Sequence, residues 1–249
     1  MNKRVLLPIV VLALVALACG SPAPPPTAVP TQPPPPTAVP TQPPPPPAAP
    51  TQQLPPTEEA PPADEPSMFF REEFDGDLSQ WIDFQIHGED DDYSIKQRSG
   101  SLTVEVTGKD TYVYVLYDPY AYTDVRLDME AKNEGFNDNN ISLICRASGD
   151  GWYEMSAFSS GLYYFYRYTP EKGYTQLGSG GIKSMRTGKY TNKFSLVCKG
   201  DRFTFLVNDT EINKFTDDDL SEGAVGFNVS SYKLLPIVVD VDWYEISEP

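Results

Sequence analysis

Proline lacks an amide donor and fixes its own φ, so a stretch crowded with prolines can build neither helix nor sheet. Of the 26 prolines in this 249-residue chain, 21 lie between Pro22 and Pro66. Pro8 precedes them, and only Pro119, Pro170, Pro236 and Pro249 follow. The chain is therefore cut near residue 67. Residues 67–249 hold everything able to pack a core, a length suited to one domain. Within the proline tract, the nonapeptide from Pro24 to Gln32 returns at Pro34, and a degenerate third copy runs through Ala49, Pro50, Thr51 and Gln52. Such a tract stays solvated in polyproline II, and residues 22–66 could reach about 140 Å at roughly 3.1 Å per residue. A spacer is the expected role.

The first residues read as a targeting signal. Lys3 and Arg4 precede an apolar run from Val5 to Ala18 that is short for a membrane span. It ends in Ala16-Leu17-Ala18-Cys19-Gly20, which resembles the lipobox of bacterial lipoprotein signal peptides, although Ala16 stands where leucine is commonest. The resemblance implies a signal peptide over 1–18, acylation of Cys19, and a lipidated linker over 19–66. The membrane is then met through the lipid anchor only, and the domain stands in the cell envelope, facing outside the cytoplasm.

Past residue 67, side chains alternate with period two. Val125, Leu127, Met129 and Ala131 oppose Arg126, Asp128, Glu130 and Lys132. Leu102, Val104 and Val106 alternate with Thr103 and Glu105, and Phe203, Phe205 and Val207 with Arg202 and Thr204. These are half-buried antiparallel strands. Runs apolar on both faces, at 112–117, 162–168 and 237–241, suit central strands. Turn signals divide them at 137–140, 148–151, 159–161, 199–201 and 208–209. No segment carries a good helical stripe, with one turn expected over Asp217 to Leu220. About a dozen short strands predict an all-β, two-sheet antiparallel sandwich.

Two cysteines remain after Cys19. Cys145 and Cys198 each share parity with two apolar residues of their strand, so both thiols face the core. Outside the cell such a pair is expected to form a disulfide, two unpaired core thiols being the alternative. The bridge would close 53 residues, worth about 3–4 kcal/mol on the loop-entropy model.

Several short segments, in order, now resemble one family. They include Phe70-Arg71-Glu72-Glu73-Phe74-Asp75 followed by Trp81, Gly100-Ser101-Leu102, Ile144-Cys145-Arg146 and Trp152-Tyr153-Glu154. Further on stand Cys198-Lys199-Gly200, Leu206-Val207-Asn208, Gly223-Ala224-Val225-Gly226-Phe227 and Val239-Asp240-Val241-Asp242-Trp243. Over residues 68–247 the chain resembles the concanavalin A-like, laminin G-like jelly-roll domains of bacterial surface proteins, related to the 3-keto-disaccharide hydrolase domain. The resemblance implies a jelly roll. It leaves three functions open, because one fold hosts many sites: a glycan-binding module, a protein-interaction or adhesion module that meets an envelope protein, and a divergent disaccharide hydrolase.

Chemistry narrows these. Removing Lys3 and Arg4 from 19 basic residues, and Glu58, Glu59, Asp64 and Glu65 from 35 acidic ones, leaves 17 against 31, a net charge of −14 on residues 67–249. Such a surface repels phosphate backbones, so no nucleic-acid partner is expected. His87 is the one histidine, which excludes histidine triads and multi-histidine metal centres. Paired carboxylates for glycoside hydrolysis are suggested only by Asp128 with Glu130, which a solvated strand face explains, and by the run Asp240 to Glu245. That run resembles the Glu-x-Asp-x-x-Glu motif of jelly-roll glucanases but opens on Asp and lies on the final strand; no catalytic residue is assigned. No cofactor is required. A structural calcium is the cation that the oxygen clusters suggest, with Asp75, Asp77, Asp240 and Asp242 as candidate ligands. The aromatic surplus is the best functional sign. Trp152, Tyr163 to Tyr166, Tyr168 and Tyr174 crowd two successive strands, with Tyr112 and Tyr114 upstream. Flat rings with polar rims suit sugars or peptides. Parity puts Arg146, Trp152, Glu154 and Ser156 on the outer face, and the expected ligand site comprises Arg146, Trp152, Tyr164 and Tyr166.

Overall fold

The computed structural model describes residues 67–98 and 100–249. The expected signal peptide, Cys19 and the stalk lie outside the described residues. Those described form strands and no helix. In chain order the strands begin with β1 (Phe70–Glu72), β2 (Trp81–Gln85), β3 (Tyr93–Gln97), β4 (Leu102–Val106) and β5 (Tyr112–Tyr122). Next come β6 (Val125–Asn133), β7 (Asn139–Ser148), β8 (Gly151–Phe158), β9 (Leu162–Thr169) and β10 (Gly173–Gly181). The last five are β11 (Thr191–Lys199), β12 (Arg202–Val207), β13 (Thr210–Thr216), β14 (Gly223–Ser231) and β15 (Ile237–Ser247).

They pair antiparallel into two sheets. The eight-stranded sheet runs β13-β12-β11-β6-β15-β4-β3, with β1 also on β15; the seven-stranded sheet runs β10-β9-β8-β7-β14-β5-β2. The alternation explains the layering. Leu127, Met129, Leu196 and Val239 from one sheet meet Val115, Leu143, Met155 and Phe227 from the other in a shared core, the arrangement expected of a sandwich with two half-buried faces. The chain crosses repeatedly between the sheets, as in a jelly roll.

Local chemistry fixes the turns. Asn208 and Asp209 join β12 to β13 with φ of 50° and 59°, the two left-handed residues that a tight hairpin requires. The Asn208 carboxamide oxygen also accepts the Lys193 amide at 3.0 Å. Cys145 on β7 and Cys198 on β11 are disulfide-bonded, tying one sheet to the other at fully buried positions.

Two expectations need correcting. The helical turn over Asp217 to Leu220 does not form. Asp217 instead accepts hydrogen bonds from Tyr153 and Arg167, which draw the loop onto the sandwich. Arg146 is not on the outer face. Pairing of β7 with β8 slips between Cys145 and Ser148, and Arg146 takes a φ of 57°. A bulge breaks the two-residue period locally, so parity fails there. Its guanidinium is buried, lies 5.2 Å from the Phe203 ring, and donates to the carbonyls of Thr123, Leu220 and Gly200 at 2.9, 2.9 and 2.5 Å. Arg146 thus stitches three loops together and is removed from the ligand set.

Candidate functional site: an aromatic-walled pocket

The outward face of the seven-stranded sheet is hollow because its middle strands carry small polar residues and its flanking strands carry rings. Read across the strands, one row runs Tyr112, Ser230, Asn140, Phe158. The next runs Tyr114, Asn228, Ser142, Ser156, Tyr164. A third brings Ile144, Glu154 and Tyr166 side by side. Small side chains in the centre and large ones at the margins leave a depression of about 130 Å³, with Glu154, Asn140 and Ser156 among the floor residues.

Six rings close a circuit around it. Tyr166 meets Tyr174 at 5.5 Å, Tyr174 meets Tyr112 at 6.4 Å, and Tyr112 meets Tyr232 at 6.4 Å. Tyr232 stacks on Phe158 at 5.6 Å, Phe158 meets Tyr164 at 5.0 Å, and Tyr164 lies nearly parallel to Tyr166 at 5.8 Å. These spacings fall in the range where aromatic pairs attract one another, so the wall is held by ring contacts. The rings are half-exposed, leaving surface for a ligand.

The floor is a continuous hydrogen-bond network. The Glu154 carboxylate is 4% exposed. Its Oε1 accepts from Ser142 at 3.0 Å and Ser156 at 2.9 Å; its Oε2 accepts from Tyr114 at 3.0 Å and the Trp152 indole at 3.3 Å. Asn140 donates to Ser142 at 2.6 Å and Asn228 at 3.2 Å, and accepts from the Tyr232 hydroxyl at 2.8 Å. Tyr174 joins through a hydrogen bond with Tyr114. Burial pushes the Glu154 carboxyl above the usual carboxylate range, against the opposing pull of its four donors. Burial, aided by the neighbouring Tyr164 and Glu154 groups, pushes the Tyr166 hydroxyl up to about 12. Tyr174 and Tyr232 are raised by the same desolvation, so these hydroxyls stay neutral.

Of the sequence-predicted set, Tyr166 lines the pocket and Tyr164 stands beside it, in ring contact with Tyr166 and Phe158. Trp152 has the expected face but a different place: it is 7% exposed, covered by Tyr168 stacked at 4.0 Å. It supports the floor beneath the pocket. Sequence reasoning missed Asn140, Ser142, Asn228, Ser230 and Tyr232. A signal was present, since Asn140 and Ser142 alternate with Ile141 and Leu143, and Asn228 and Ser230 with Phe227 and Val229. Small polar residues on the outward parity of strands that pair with each other mark a depression rather than a solvated face.

Of the expected calcium ligands, three accept or share hydrogen bonds with other side chains and one is exposed. Among the described residues no three histidine, cysteine or carboxylate side chains gather as a metal site. Asp77 accepts from Ser79 at 2.7 Å, Asp240 accepts from Thr103 at 2.7 Å, and Asp242 shares a hydrogen bond with Glu130. Asp75 is exposed in the loop after β1. Nor do carboxylates pair in the pocket: Glu154 is the one carboxylate among its lining residues. Asp128, Glu130, Asp240 and Asp242 belong to the other sheet.

No protein-family model and no curated protein matches this chain. Solved structures do. A Bacillus subtilis protein of unknown function with a galectin-like fold aligns with a TM-score of 0.58 at 10% identity, over 74% of this chain and 97% of its own. A Bacillus licheniformis beta-glucanase aligns at 0.56 and 12%, over 74% and 100%. A lichenase derived from a mouse hindgut metagenome aligns at 0.56 and 14%, over the same shares. At such identities the likeness is one of fold, and with the two antiparallel sheets it establishes a concanavalin A-like jelly roll.

Proposed function

We propose that this chain is a carbohydrate-binding module, held outside the cell by a lipid on Cys19 and spaced from the membrane by residues 19–66. The observation that carries the reading is the closed circuit of six rings around a polar floor. Sugar rings offer apolar faces and hydroxyl edges, and the pocket answers with ring faces and a rim of neutral tyrosine hydroxyls. Its volume suits a single ring at a chain end rather than a long oligosaccharide. That two solved neighbours of the same fold are glucanases adds support by analogy alone.

Binding is favoured over hydrolysis because the lining supplies one carboxylate, whereas the usual glycosidase chemistry needs two flanking the scissile bond. A glycan array probed with the full chain and with Tyr166→Ala tests the module. Retention of a defined sugar class, weakened about tenfold in the variant, is expected for loss of one aromatic contact. If no glycan is retained while one envelope protein binds through the same face, the adhesion alternative replaces this reading. The anchor is tested separately: a labelled fatty acid should enter the intact chain and be lost in Cys19→Ala.

A further inference from the structure

We infer that the ligand of this pocket carries a positively charged ammonium group, because aromatic walls surround a buried carboxyl that has no cationic partner among the described residues. Among sugars, the class that supplies such a group is the amino sugar with a free amine. The inference rests on reading the pocket as the ligand site.

Three observations converge. First, the donors on Glu154 are two serine hydroxyls, a tyrosine hydroxyl and an indole, all formally neutral. Among the described residues no lysine, arginine or histidine lines the pocket. His87 packs edge-on to Tyr112 at 4.9 Å without joining the lining. A buried carboxyl left without a counter-charge avoids the cost of ionising by holding its proton, and a ligand cation favours the ionised form by supplying the missing charge. Second, those four donors fill the lone-pair sites that a carboxylate offers. Glu154 therefore has no capacity left for a sugar hydroxyl, and it acts on a ligand through its charge. Third, aromatic faces are negative, and several around one cavity form the environment that recognises alkylammonium groups. The net charge of −14 on residues 67–249 acts in the same direction at longer range.

Calorimetric titration of the full chain with glucosamine, N-acetylglucosamine, glucose and tetramethylammonium tests the inference. Glucosamine should bind at least about tenfold more tightly than N-acetylglucosamine, with tetramethylammonium competing for the same site. Glu154→Gln should abolish the preference for the cation. Should that variant fail to fold, Tyr166→Leu and Tyr174→Leu, which keep apolar bulk and remove ring faces, should each weaken glucosamine about tenfold. Equal binding of all three sugars would overturn the ammonium inference and leave the carbohydrate reading standing. Binding of tetramethylammonium without any sugar would support the ammonium inference and overturn the carbohydrate reading. No binding by any probe would overturn both.

Discussion

Asp128 and Glu154 occupy equivalent depths on opposite sides of the sandwich. Each is 4% exposed, each sits on the outward parity of a central strand, and each accepts serine hydroxyls. Their electrostatics differ. Burial alone would raise Asp128, but Arg126 grips it with two hydrogen bonds, at 2.6 and 2.9 Å, and Ser195 adds one at 2.6 Å. With Lys193 at 3.5 Å, these hold its carboxyl below the ordinary value. Glu154 has neutral donors and tyrosine neighbours, and its carboxyl is raised. The eight-stranded sheet neutralises its buried charge internally. The seven-stranded sheet gives its buried carboxyl neutral donors, which leaves burial the dominant influence on it. Both carboxyls are shielded from solvent and hydrogen-bonded, and the formal charge of the donors is what separates the lowered one from the raised one.

The contrast presumes that both sheets are held as one body, and the largest expected effect comes from removing that condition. Replacing Cys145 and Cys198 together by alanine should cost about 3–4 kcal/mol, from the entropy of a 53-residue loop; denaturant midpoints check this. If stability is unchanged, the bridge does not constrain the unfolded chain. Next in size, Asp128→Asn should cost about 2 kcal/mol at neutral pH. This is less than a fully buried pair is worth, because the Arg126 and Lys193 side chains remain 33% and 29% exposed. The cost should shrink in acid: a carboxyl lowered by folding contributes stability above its unfolded value and loses it as pH falls through the folded one. The smallest effect sharpens the comparison most. Glu154 is raised, so its ionisation works against the fold as pH rises from the unfolded through the folded value. Urea unfolding across the acid range should show wild type losing ground to Glu154→Gln on raising the pH, opposite in slope to Asp128→Asn. Parallel slopes would mean that the two carboxylates are electrostatically equivalent.

Much of this was legible from residue order. Alternation over Val125 to Lys132 placed β6 and both of its faces correctly, and the parity of Cys145 and Cys198 put both sulfurs in the core. Glu154 and Ser156 were assigned the outward face that they occupy, and Tyr164 and Tyr166 were included in the expected ligand site. Arg146 was not legible, because one bulge inverts parity and nothing in Ile144-Cys145-Arg146 announces where β7 slips. Trp152 had the right face and the wrong exposure, since the residue that covers it, Tyr168, comes from the neighbouring strand.

The sequence by itself determined which side chains meet oil and which meet water, because that choice follows from a two-residue period within each strand. Tertiary structure alone decided that Tyr112, Phe158, Tyr164, Tyr166, Tyr174 and Tyr232 close a circuit of ring contacts, all but Tyr164 lining the pocket with Glu154. That outcome depends on the lateral order of the strands. β5 and β9 are separated by β14, β7 and β8 in space, and no local pattern encodes which strands become neighbours.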